Sequence, residues 1–111
     1  MDQPFAIDTL PWKPVRPEIT HRVFGRSLLE GPVKAVLTRV EPGGGFRAHA
    51  DAYAHLFYFL EGQGTLMVDG VRSAARPGVV ARIPAGVPHA YENTGEADLV
   101  LLSLNLPGQE G

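Results

Sequence analysis

Glycine and proline interrupt this chain so often that only short elements fit between them. Thirteen glycines and ten prolines occur in 111 residues, and they stand between apolar runs rather than in one tract. Proline fixes φ and lacks a backbone donor, and glycine weakens the interior of a helix or strand, so together they punctuate turns. No window keeps a helical period, and only residues 27–30 are ambiguous. The runs between the breaks are residues 19–24, 33–40, 55–60, 65–68, 79–83 and 99–106. They are rich in β-branched and aromatic side chains and read as strands. Turn signals separate them, among them the glycine-rich residues 41–45 and the hairpin pair Asp69-Gly70. Short strands at near-regular spacing imply an all-β sandwich or barrel.

Residues 1–18 carry Pro4, Pro11, Pro14 and Pro17 and read as an extended segment. Phe5 and Trp12 give it apolar surface to pack on the barrel or on a dimer partner, and residues 19–111 form the barrel domain. The run Leu99-Val100-Leu101-Leu102 does not alternate, so both of its faces need cover. One face meets the interior. The other meets a second subunit, which makes a homodimer the expected assembly, or it is covered by the N-terminal segment.

The net charge of −2 leaves no basic stripe for a phosphate backbone, so nucleic acid is not an expected partner. The absence of cysteine excludes disulfides and thiolate metal sites. The first ten residues contain Asp2 and Asp8 and do not read as a signal peptide. No segment is long and apolar enough to suggest a membrane partner, so the expected location is the cytoplasm.

Three of the four histidines occupy telling positions. His49 and Asp51 are two apart, and on a strand they would share a face. His55 starts an apolar strand and shares parity with Phe57 and Phe59. His89 follows a Pro-Ala-Gly-Val-Pro turn that can aim it inward. A histidine in apolar surroundings needs a partner, and imidazoles with one carboxylate satisfy one another around a divalent metal. His21 is left out of this set. Arg47, two before His49, either shares the inward face, where as a candidate pocket residue it would favour an anionic substrate, or is an outward, solvated side chain on a mouth loop, since the glycine-rich approach can break alternation. Phe57 and Tyr91 are expected in the core, with Tyr91 reaching the pocket.

At this point the sequence resembles the cupins. Gly43, His49, Asp51, His55 and Gly62 stand where the family's first motif has Gly, His, His, Glu and Gly. Gly78, Pro84, Gly86, His89 and Asn93 match every fixed position of its second motif. The resemblance spans roughly residues 33–106 and implies a double-stranded β-helix, or jelly-roll barrel, of the small single-domain, type-2 conserved-barrel kind. It implies one divalent metal (zinc, iron, manganese, nickel or copper) in the barrel mouth. His49 and His89 carry over directly as ligands; Asp51 and His55 carry over by position, one histidine and one carboxylate having traded places. His49, Asp51 and His89 also spell the two-histidine, one-carboxylate triad of non-haem iron. No arginine follows His89 to hold a ketoacid, because the last one is Arg82.

The implied function is a small metalloenzyme, a dioxygenase, isomerase or lyase, acting on a small oxygenated or carboxylated metabolite. The alternative is a non-catalytic small-molecule-binding or sensor cupin. The resemblance assigns no catalytic residue.

Overall fold

The computed structural model describes residues 3–107. Met1 and Asp2 of the expected N-terminal segment, and residues 108–111 of the expected barrel domain, lie outside the described residues. Among the described residues, nine strands follow a single 3-10 turn at Ile7–Thr9. They are β1 (Lys13–Pro14), β2 (Thr20–Leu29), β3 (Lys34–His49), β4 (Ala54–Glu61) and β5 (Gly64–Val68), then β6 (Val71–Ala75), β7 (Val80–Ile83), β8 (His89–Asn93) and β9 (Leu99–Leu106). No helix among the described residues is long and apolar enough to cross a membrane.

Strand alternation builds the interior. On β4, His55, Phe57 and Phe59 are buried while Tyr58 and Leu60 are exposed. On β9, Leu99 and Leu101 are fully buried, and Val100 and Leu102 on the opposite face are only partly covered. With Val40, Leu66, Ile83 and Tyr91 they form one apolar cluster. Burying a side chain of this size stabilises the fold by about 1.5–3 kcal/mol.

The sheet runs in the order β6-β5-β8-β3-β9-β4-β7, with β2 also on β3 and β1 on β2. All recorded pairs are antiparallel, so the sheet curls into a jelly-roll barrel. β3 links its two walls. Residues 34–40 pair with β9, and Gly45, Phe46 and His49 pair with β8. The glycine-rich residues 41–45 were expected to end a strand; instead they bend one that continues. Opposite them the β2 register slips between His21 and Val23. A side chain at Gly44 would put its Cβ 2.6 Å from the His21 carbonyl oxygen, so the two strands can touch there only through glycine.

The hairpin at Asp69-Gly70 forms as expected, with φ of 51° and 80° and Val68 opposite Val71. Both residues lie in the left-handed region that this turn requires. Asn93 closes the turn after β8. Its amide donates to the carbonyls of Val40 and Ala97 at 2.8 Å, and its Oδ1 accepts from Gly95 N.

The N-terminal segment lies along the barrel of its own chain. Lys13 and Pro14 stand opposite Gly25 and Phe24 of β2. On the outer side the Trp12 ring sits between the guanidinium groups of Arg26 and Arg39, at 4.3 and 4.4 Å. On the inner side residues 10–16 form a strap over the open end of the barrel.

Candidate metal centre

Four side chains, from three strands and one loop, converge at that end. β3 ends at His49, and β8 begins at His89 directly opposite it in register. His55 points inward from β4, across from Asn105 of β9. Asp51 was expected to reach the site by strand parity with His49. It lies instead in the loop after β3, which Gly86 N ties down by donating to the Asp51 carbonyl oxygen at 2.8 Å.

The donor atoms of His49, Asp51 and His89 all lie within 4.8 Å of one another. Asp51 Oδ2 is the hub, 3.0 Å from His49 Nε2, 2.8 Å from His55 Nε2 and 3.8 Å from His89 Nε2. Donors sharing one metal at about 2.1 Å would stand about 3 Å apart, so these spacings are those of a ligand set.

The far side of each ring fixes what its near side offers. His49 Nδ1 donates to the Arg47 carbonyl oxygen at 2.8 Å, and His89 Nδ1 donates to that of Val87 at 2.9 Å. His55 Nδ1 faces Asn105 Oδ1 at 3.1 Å. A neutral ring whose Nδ1 holds the proton presents a bare lone pair at Nε2. His89 Nε2 is buried with no hydrogen-bond partner. His49 and His89 thus present lone pairs at Nε2 beside the Asp51 carboxylate oxygen, with His55 Nε2 at hydrogen-bond distance from the same oxygen, an arrangement of His49, His89 and Asp51 that repels itself unless a cation or proton stands among them. A divalent metal fits this donor set.

The electrostatics agree. Burial keeps His89 below its ordinary pKa, outweighing the bond to Val87, so the ring stays neutral as a ligand must. Burial pushes the Asp51 carboxyl up, but hydrogen bonds with His55 and Arg16 and the nearby charges outweigh it and hold the group below its ordinary value. Arg16 Nη1 donates to Asp51 Oδ1 at 2.9 Å and to the Tyr53 hydroxyl at 3.3 Å. One carboxylate oxygen is therefore held by the strap, while the other faces the imidazoles.

A chamber of about 470 Å³ adjoins the cluster through His55. Phe46, Phe57 and Tyr91 wall it, Thr38, Ser103 and Asn105 line it with polar groups, and the strap covers it. Burial pushes the Tyr91 phenol up, so it stays neutral. Arg47 does not enter this space; of its two readings the structure places it on the outward one. It is exposed and donates to the Glu18 carbonyl oxygen at 3.1 Å, lining a separate outer groove. The reason is a bulge in β3 between Phe46 and His49, where Arg47 and Ala48 stand opposite the single residue Ala90 of β8. It breaks the alternation and turns Phe46 inward, 4.4 Å from the His49 ring and 4.5 Å from Tyr91. Sequence reading missed Phe46 and Arg16. The glycine run before Phe46 signalled irregular pairing, and nothing in residues 1–18 marked which side chain would meet the site.

The cupin domain model matches residues 36–105. No curated protein matches the sequence. Among solved structures, the polyketide cyclase RemF from Streptomyces resistomycificus superposes with a TM-score of 0.85 at 22% identity, covering 98% of this chain and 81% of that one. A predicted oxalate decarboxylase from Thermotoga maritima gives 0.82 at 18% identity, covering 95% and 99%. KdgF from Halomonas sp. gives 0.82 at 20% identity, covering 95% and 94%. At these identities the likeness is one of fold. The family model covers well over half of the chain, and the chain belongs to the cupin family.

Proposed function

We propose that this cupin is a metal-dependent enzyme that works on a small oxygenated or carboxylated metabolite held in the chamber beneath the strap. The observation that carries the reading is the convergence of His49, His55 and His89 through Nε2 on Asp51 Oδ2. His49, Asp51 and His89 are the compact trio and His55 is the fourth donor. A divalent metal held by them would supply Lewis-acid polarisation of substrate oxygens, or oxygen chemistry if it is iron.

The chain's own residues do the rest. The carbonyls of Arg47 and Val87 hold two rings in the required tautomer. Phe46 and Phe57 keep water from the chamber side of the cluster. Arg16 fixes Asp51 so that one oxygen is presented. Cupin-fold neighbours with names as different as polyketide cyclase and oxalate decarboxylase leave the reaction itself unassigned.

The test is titration of untagged, metal-stripped protein with zinc, manganese, iron, nickel and copper, together with elemental analysis of protein as purified. We expect one equivalent of metal per chain, and we expect His89→Ala to lose binding while circular dichroism shows a folded β-protein. Wild-type protein that binds none of the five, or a His89→Ala variant that binds as well as wild type, would overturn the metal assignment. An oxygen-consumption screen on the iron form then separates an enzyme from a binding module.

A further inference from the structure

The whole chain carries a net charge of −2, yet the chamber's lining is cationic. Lys13, Arg16 and Lys34 border it, against a single carboxylate, Glu30. Lys34 Nζ stands 3.8 Å from Glu30, so that pair cancels at the rim. On the strap Arg16 is paired with Asp51 at 2.9 Å and, through Nε, with Glu18 at 3.8 Å, which leaves Lys13 as the unpaired cation of the lining. Lys13 sits opposite Gly25 of β2, is exposed, and is in no ion pair among the described residues. Arg16 uses only Nη1 in hydrogen bonds among the described residues, on Asp51 and Tyr53, and its φ of 43° is a left-handed conformation rare for arginine. Backbone held in such a region persists where the surroundings impose it. Here those surroundings are the Asp51 contact and bonds from Ile19 N and Thr20 N to the Arg16 carbonyl oxygen.

We infer that the chamber selects a small organic anion, and that Lys13 and Arg16 of the strap recognise its carboxylate. The body of such a molecule meets Val36, Phe57 and Tyr91, while its neutral oxygens meet Thr38 and Ser103, whose hydroxyls stand 3.3 Å apart. Arg16 spans both sites. Its Nη1 holds Asp51 and its Nε stands 3.8 Å from Glu18, so Nη2 supplies the donors for the anion. With a divalent metal, one carboxylate and one guanidinium together, the centre is cationic overall, which favours the same ligand class. The inference rests on the proposed reading of the chamber as the substrate site, but not on the metal.

The probe pair is benzoate and benzamide, nearly equal in shape and different in charge. Binding is followed by backbone amide shifts in wild-type protein, metal-free and with zinc. Benzoate should shift Val36, Thr38 and Ser103 and bind at least about tenfold more tightly than benzamide, the scale of one charge-assisted hydrogen bond. Lys13→Gln should remove most of that preference and leave benzamide binding unchanged, and Arg16→Lys should retain part of it. Equal affinity for the two probes, benzoate shifts confined to the outer groove around Arg47, or a full preference in Lys13→Gln would each overturn the inference. Failure of the wild type to take up zinc sinks the metal reading alone, because the ratio in metal-free protein still decides this one.

Discussion

Asp51 supplies the one carboxylate oxygen that faces three imidazoles, and its other oxygen is tied to the strap by Arg16. Replacing it therefore tests two connections at once. Asp51→Asn keeps the shape and removes the charge. If the oxygen binds metal directly, affinity should fall beyond the roughly 10–100-fold typical of an outer-sphere partner. A loss within that range would place Asp51 behind the ligands, and unchanged affinity would remove it from the site. Asp51→His restores the residue found at this position in the family motif and should keep metal binding. It would also strip Arg16 of its acceptor, so metal affinity and the benzoate preference should separate in that variant.

At the scale of elements, the strap depends on Gly25. A Cβ there would stand 2.6 Å from Val36 Cγ1 and 2.8 Å from Val15 Cγ2. Both neighbours are stiff β-branched side chains, so neither can swing away cheaply. Gly25→Ala should cost about 1–3 kcal/mol in urea denaturation, the range for overpacking, and should increase hydrogen exchange at residues 13–16. A stability equal to wild type with unchanged exchange would show that the strap has room to move. This contact also marks where sequence reading stops. The strands on β4 and β9 were legible because alternation is local and periodic, as was the Asp69-Gly70 turn, whose conformation belongs to its own residues. The pairing of histidines across β3 and β8 followed from family motifs. Parity could not place Arg47, because a bulge cancels it, and Asp51 reaches the histidines from a loop and not along the strand; neither feature leaves a periodic trace. Arg16 and Gly25 act through neighbours distant in the chain, which no local pattern encodes.

At the scale of the whole molecule, the outer faces of β3, β4, β7 and β9 align Leu37, Leu102, Tyr58 and Val80 across adjacent strands, with Leu56 and Leu104 beside them. Tyr58 and Val80 are 41% and 56% exposed, which is where a partner would cover them. We expect a homodimer by light scattering at micromolar concentration, converted to monomer by Leu102→Glu; a monomeric wild type would refute this. Acid tests the other face of the same sheet. His89 titrates below its ordinary value of 6.5 in the folded chain, because burial disfavours the charged ring. The unfolded chain therefore takes up that proton first, and stability should be full above 6.5 and decline as pH falls below it. Asp51 is held below its ordinary 3.8, so its contribution is lost only as pH falls below that value. Both shifts have the same sign, and metal-free protein should melt progressively lower from about pH 7 to about pH 5 as His89 titrates. Zinc competes with protons for the same Nε2 atoms, so saturating zinc should raise the melting temperature near neutrality and lose that effect in acid. A melting temperature that zinc raises equally at both pH values would mean that the metal binds somewhere other than these imidazoles.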